Sequence, residues 1–196
     1  MPSSSLVSKS GLVVGALVLL IAGIVLASVF AIGALRDLGT STGAGDTLDN
    51  ATRVGVLDGY DADQLENART IMRVATESGL DERAQIVGVM TAMGESSLRN
   101  IGYGDWESSG VRNPDGSATS SLGLFQQQDW WGSEEERLDP ATAAKRFFEV
   151  LTEVDGWEDM RPTLAANAVQ GNDDPHHYEP YERGATELVQ ALRTVA

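Results

Sequence analysis

The chain has 196 residues, enough for one domain of ordinary size and a short additional segment. It contains 14 Lys and Arg against 29 Asp and Glu, a formal net charge of −15 without a basic run, which excludes nucleic acid as a partner. It has no cysteine, which excludes disulfides, a thiol nucleophile and a thiolate metal site.

The first predicted element is the uncharged, apolar segment at residues 11–35. A helix of this length, at about 1.5 Å per residue, crosses a hydrocarbon core of about 30 Å. We therefore predict a short cytoplasmic tail at residues 1–10 and a single-pass transmembrane signal anchor at 11–35, with the C-terminal part extracytoplasmic. The alternative is a cleaved signal peptide, which is less favoured because its apolar region spans only about 7–15 residues.

Residues 36–60 are rich in Gly, Thr, Ser and Asp and have no regular hydrophobic period. Such a composition predicts a flexible linker. The remaining part, residues 61–196, is then the folded domain.

Several helices of this domain have clear start signals. Asp61, followed three residues later by Gln64, predicts a capping box, Asp81 predicts a second N-cap, and Asp139 before Pro140 predicts a third. Apolar residues at helical spacing follow each signal. The predicted helices lie at residues 61–79, 81–97, 139–156, 162–169 and 182–195.

Between the second and third helices the periodicity is lost. Residues 99–121 are dominated by Gly, Asn, Pro, Asp and Ser, which predicts a loop or short hairpin, and the apolar residues 121–125 predict a short strand. The fold class is therefore mainly α, with one strand and loop insertion. A compact domain seldom retains so long an irregular segment without a function for it.

Motif absences narrow the chemistry. The chain has no GxGxxG, GxxxxGK[ST], GxSxG or HExxH motif, so we predict no cofactor. Asp173, Asp174 and His176 are close enough in sequence to meet a metal ion, but a solvated turn is favoured, and we predict no metal site.

Carboxylate chemistry is then the main candidate, at Glu95. This residue lies at the end of an apolar predicted helix, between Gly94 and small serines. A shielded carboxyl has a raised pKa, stays protonated near neutral pH and can protonate a glycosidic oxygen. From the residues alone, a solvated surface glutamate is the more usual interpretation of a Glu at a helix end.

Two motifs add a family resemblance. The segments TAMGESSLRN (91–100) and SSLGLFQQQ (120–128) resemble the lysozyme-like superfamily, and most closely its lytic transglycosylase and goose-type lysozyme branch. Members have a helix ending in Glu-Ser and then Ser-x-Gly-Leu-(Met/Phe)-Gln. The resemblance extends over residues 61–195. This part of the chain is similar to membrane-anchored peptidoglycan hydrolases of actinobacteria.

The resemblance implies a two-lobed, lysozyme-like helical domain that cleaves peptidoglycan between N-acetylmuramic acid and N-acetylglucosamine. Glu95 would protonate the leaving oxygen, and Gly123 would let the backbone approach the sugar. Gln126, together with Ser121 and Gln127, would bind substrate.

Other substrate-binding candidates lie in or after the irregular segment. Asp105 is the best candidate for a second carboxylate, with Asp115 and Asp129 as rivals, although a solvated or turn-forming Asp is the more common interpretation of each. Aromatic side chains stack on sugars, so Tyr103 and the tryptophans are further candidates. These tryptophans are Trp106, Trp130 and Trp131.

The third motif of lytic transglycosylases, Ala-Tyr-Asn, is altered here. The nearest match, at residues 165–168, has an alanine where the motif has tyrosine. Asn167, Gln170 and Tyr178 are the candidates to fill this place.

The predicted function is a membrane-anchored muramidase or lytic transglycosylase that cleaves peptidoglycan glycan strands during local cell-wall remodelling. By analogy, its partners include proteins of a secretion or conjugation apparatus. The alternative is a catalytically silent, lysozyme-like module that binds the wall or acts as a scaffold in an envelope complex.

Overall fold

The computed structural model describes residues 44–194. The predicted cytoplasmic tail and transmembrane anchor at residues 1–35 lie outside the described residues. Within the described part of the chain, no helix is long and apolar enough to cross a membrane.

The domain is mainly helical, as predicted. The helices of the described residues are α1 (Ala44–Leu57), α2 (Ala62–Glu77), α3 (Glu82–Ser96), α4 (Asp105–Ser109), α5 (Glu134–Leu138), α6 (Pro140–Glu153), α7 (Pro162–Gln170) and α8 (Glu182–Arg193). Short 3₁₀ helices lie at Asp129–Trp131 and Glu179–Tyr181.

The predicted helix starts are confirmed at atomic detail. The Asp61 carboxylate accepts a hydrogen bond from the Gln64 backbone N–H at 2.9 Å, and the Gln64 side chain accepts one from the Asp61 N–H at 3.0 Å. Asp81 and Asp139 cap α3 and α6 through the backbone N–H groups of Ala84 and Thr142. Each cap satisfies an N–H group that lacks a partner within its helix.

The predicted short strand at residues 121–125 is not present. Leu122 and Gln127 form an isolated antiparallel bridge that closes a tight turn, here called the 122–127 turn. A second isolated bridge, between Arg112 and Ala118, closes the loop that follows α4. The apolar side chains of Leu124 and Phe125 are buried because the turn folds onto the core, not because they belong to a sheet.

The prediction of a flexible linker is wrong over residues 44–57, which form α1. This helix packs against α8, and Val56 and Leu57 contact the hydrophobic core. An isolated segment of this length forms a helix only marginally in water, so tertiary packing supplies the stability that its composition does not indicate.

The core surrounds α3. This helix packs against α2, α6, α7 and α8, and nearly every residue from Ala84 to Met93 is buried. Trp157 is also buried. Because α3 is enclosed on most sides, its C-terminal end is held in a fixed position, and Glu95 lies at that end.

Candidate active site

Glu95 lies in the last turn of α3, where the helix meets the 122–127 turn. Ser97 and Leu98 follow the helix with φ angles of 55° and 60°, which turn the chain sharply away. The Ser96 hydroxyl donates to the Leu124 carbonyl at 2.8 Å. This hydrogen bond joins the end of α3 to the 122–127 turn, directly beside Glu95.

Tyr178 provides the closest partner of Glu95. Its hydroxyl donates a hydrogen bond to Glu95 Oε1, and the Asn172 amide donates to the same hydroxyl. The Tyr178 side chain is fully buried. Its ring packs so closely on α3 that a Cβ at Gly94 would lie 2.8 Å from Tyr178 Cδ1, which explains why a glycine precedes Glu95.

Gln170 adds a third neutral side chain to the site. Its amide donates to the Phe125 carbonyl at 2.9 Å, and the amides of Gln170 and Asn172 both lie close enough to the Glu95 carboxyl to lower its pKa. The carboxyl therefore lies between α3, the 122–127 turn and the segment that follows α7. None of these partners is a cation.

Burial raises the pKa of Glu95 from its ordinary value to about 7. The Tyr178 hydrogen bond lowers the pKa, the negative charge of Asp105 raises it, and the amides of Asn172 and Gln170 lower it. Burial is the largest effect, because it disfavours the charged form. A carboxyl with this pKa is protonated in about half of the molecules at neutral pH and can act as a proton donor.

The Tyr178 hydroxyl remains a donor at all moderate pH values. Burial raises the pKa of its phenol, and the charge of Glu95 raises it further. Tyr178 therefore stabilises the ionised form of Glu95 without losing its own proton.

Asp105 lies near this carboxyl, and Tyr103 precedes it on the same exposed segment. Asp105 is the first residue of α4 and is close enough for its charge to raise the pKa of Glu95. The Tyr103 carbonyl accepts a hydrogen bond from the Gln126 amide at 3.3 Å, and its ring is exposed. Trp106 follows Asp105 in α4, but the guanidinium of Arg112 lies 4.5 Å from the centre of its ring and covers one face.

The predicted substrate-binding residues of the 122–127 turn and its flank have mixed positions. Gln126 is partly exposed, with a φ of 46°, whereas Ser121 and Gln127 are buried. Gln127 is 1% exposed and donates to the Ala143 carbonyl at 3.1 Å, which makes it a core residue and not a sugar contact.

Gly123 is required by the packing of the turn itself. A Cβ at this position would lie 2.1 Å from the Arg137 carbonyl oxygen, and its φ is 75°. The close approach seen in the structure is to the backbone of α5, and the approach of a sugar to Gly123 stays a prediction.

Two of the three candidates for the altered motif reach Glu95, namely Tyr178 and Gln170. Asn167 does not bond to it, and instead donates to the carbonyls of Asn172 and Asp174, at 2.8 and 3.1 Å. It thereby shapes the segment that presents Asn172 and Tyr178. Asn172 was not among the predicted site residues, because no local pattern indicates its contact with Tyr178.

The remaining candidates are the carboxylates Asp115 and Asp129 and the tryptophans Trp130 and Trp131. Asp115 accepts hydrogen bonds from the Ser117 backbone and hydroxyl, which lower its pKa, so it is a turn-forming residue. Asp129 begins a 3₁₀ helix. Trp131 packs against the core, whereas Trp130 is 69% exposed.

A cavity of about 580 Å³ lies away from Glu95, between α2, α3 and α8. Its polar side chains bond to one another, with Gln85 joining Thr76 to Arg193. The carboxyl that lines it, Glu66, is exposed. Among residues 44–194, no group of three His, Asp or Glu side chains is placed to hold a metal ion.

Neither a scan against protein-family models nor a search of the curated proteins found a match to this chain.

Proposed function

We propose that this chain is a glycosidase or lytic transglycosylase that cleaves the glycan strands of peptidoglycan, with Glu95 as the general acid. The observation that supports it is the partly buried Glu95 carboxyl, whose pKa of about 7 suits a proton donor. The motif resemblance supplies the substrate class, together with a two-lobed, lysozyme-like architecture.

The surroundings of Glu95 fit both stages of proton donation. Before the reaction, burial favours the protonated form. When the proton passes to the glycosidic oxygen, the C–O bond breaks, its electron pair remains on that oxygen, and Glu95 becomes a carboxylate. The Tyr178 hydroxyl and the Asn172 and Gln170 amides then stabilise this charge.

Two fates of the resulting sugar cation define the two enzyme classes. A water molecule that attacks it gives a reducing end, and the sugar's own 6-hydroxyl gives a 1,6-anhydro end. Asp105 is the candidate to take a proton from the attacking group, because its charge is close enough to raise the pKa of Glu95. The membrane-anchored location, facing the wall, belongs to the same proposal.

The test is digestion of purified peptidoglycan by the full chain in detergent, between pH 5 and 7, with products identified by mass spectrometry. Glu95→Gln is compared with Glu66→Gln, a matched change at an exposed position of α2. We expect muropeptide release by the wild type and by Glu66→Gln, and a loss of about 10²- to 10⁴-fold in Glu95→Gln.

Two results would contradict the proposal. The first is release by Glu95→Gln at the wild-type rate. The second is no release by the wild type while a known muramidase digests the same material, which would favour a catalytically silent wall-binding module.

A further inference from the structure

Arg137 is a buried cation close to the candidate site. It lies in α5 and is 6% exposed. Its Nη1 donates to the Gln127 carbonyl at 3.0 Å and also to the Ser120 carbonyl. Within residues 44–194, no carboxylate forms an ion pair with it. Removing a guanidinium from water is strongly unfavourable, so its hydrogen bonds to the chain must offset a large penalty.

The Ser120 carbonyl lies just before the 122–127 turn, and the Gln127 carbonyl belongs to its last residue. Inside the turn, the Leu124 carbonyl accepts from Ser96, and the Phe125 carbonyl accepts from Gln170. Ser96 is adjacent to Glu95, and the Gln170 amide lies close enough to the Glu95 carboxyl to lower its pKa. The turn is therefore the element through which α5 reaches the site.

The backbone of Arg137 holds the same turn from a second direction. A Cβ at Gly123 would lie only 2.1 Å from the Arg137 carbonyl oxygen, so the turn packs directly on α5. Side chain and backbone of one residue thus fix residues 120, 123 and 127.

We infer that Arg137 is a positioning residue, which holds the 122–127 turn so that Gln170 and the end of α3 enclose the Glu95 carboxyl. Arg137 acts through the turn, since it makes no hydrogen bond to Glu95. Its effect on catalysis rests on the proposed function, whereas its effect on the Glu95 carboxyl does not.

A lysine would not replace it. The guanidinium is planar, more weakly hydrated than an ammonium group, and presents its N–H groups in fixed directions. An ammonium group on a shorter, flexible stem loses more hydration on burial and cannot hold both carbonyls in the same geometry.

The test compares Arg137→Met and Arg137→Lys in the full chain with Arg146→Met. Arg146 is a matched control, because it is a partly buried arginine on α6 that pairs with Glu136 and, within residues 44–194, forms no hydrogen bond with the 122–127 turn. The first readout is the ¹³C NMR titration of the Glu95 carboxyl in substrate-free protein. The second is the separation of kcat from KM on peptidoglycan.

We expect the Glu95 carboxyl to titrate at lower pH in both Arg137 variants, because a loosened turn admits water to it. We expect kcat to fall about 10-fold or more with little change in KM, and Arg146→Met to match the wild type in both readouts. If Arg137→Met does not fold, the Glu95 titration is measured in Arg137→Lys and in Gly123→Ala. The second variant displaces the turn from α5.

Folded Arg137 variants whose Glu95 titrates as in the wild type would overturn the inference. If the wild type releases no muropeptides, the proposed function fails, while the titration still decides the role of Arg137.

Discussion

The packed core and the candidate site meet on one helix and differ in how their backbone is built. Residues of α3 up to Met93 are enclosed by α2, α6, α7 and α8, whereas Glu95 is surrounded by turns and helix ends. Within residues 44–194, the non-glycine residues with positive φ are Ser97, Leu98 and Gln126, all beside the site. Each such conformation costs about 1–3 kcal/mol and persists only where its surroundings hold it.

Stability and chemistry are therefore separated along α3. The core fixes the helix, and the fixed helix end then retains a carboxyl that is unfavourable when charged. Substitutions in the two regions should therefore differ in kind as well as in size.

The largest effect on stability should come from Glu95→Gln. Burial raises the pKa of Glu95 from the ordinary 4.5 to about 7, so the stability that it contributes is fully present below about pH 4.5 and is lost as the pH rises through 7. Glutamine stays neutral. We expect the variant and the wild type to be similarly stable at pH 4, and the variant to be more stable at pH 8 by up to about 3 kcal/mol.

Urea unfolding of both proteins at several pH values measures this difference. A stability difference that stays constant between pH 4 and 8 would show that folding does not raise the pKa of Glu95.

Alanine substitutions at two glycines of α3 test the separation of core and site more directly. A Cβ at Gly88 would lie 2.7 Å from Phe148 Cζ in the core, and one at Gly94 would lie 2.8 Å from Tyr178 Cδ1 at the site. Crowding of this kind costs about 1–3 kcal/mol, offset in part by the better helix propensity of alanine. We expect both alanine variants to lose stability, but only Gly94→Ala to lower kcat per folded molecule.

Thermal unfolding and active-site-normalised kinetics check this pair. Equal loss of kcat in both variants would mean that core and site are not separable along α3.

Asp105 and Tyr178 should shift the pH profile in opposite directions. The charge of Asp105 raises the pKa of Glu95, and the Tyr178 hydrogen bond lowers it. Since a general acid must be protonated, activity falls above its pKa. We expect the alkaline limb of kcat/KM to move to lower pH in Asp105→Asn and to higher pH in Tyr178→Phe. Shifts of the same sign would refute this description of the site.

The smallest effect is expected from Ser97→Gly. Ser97 is exposed and has a φ of 55°, a left-handed conformation that glycine adopts without penalty. We expect the free energy of unfolding to increase by about 1 kcal/mol. A decrease in denaturation experiments would show that the serine side chain stabilises the end of α3.

The sequence predicted the helix starts of the domain because their signals are local. Asp61 with Gln64, Asp81 and Asp139 each start a helix where their caps indicate, since a cap acts within one helical turn. The helix α1 was missed because its stability depends on α8, more than a hundred residues later.

The site was only partly predictable for the same reason. Glu95 followed from a short motif, but Tyr178 lies 83 residues away, and no local pattern indicates that its hydroxyl reaches Glu95. Gln127 was predicted at the site because it neighbours Gln126, yet the bridge between Leu122 and Gln127 directs it into the core. Arg137 gave no signal, because burial of an arginine depends on carbonyls from another segment.

The fold raises the pKa of Glu95 so far that about half of the molecules carry a protonated carboxyl at neutral pH. The most direct measurement is a ¹³C NMR titration of the Glu95 carboxyl, assigned by comparison with Glu95→Gln. We expect a midpoint near pH 7. A midpoint near pH 4.5, the value of an ordinary glutamate, would contradict it.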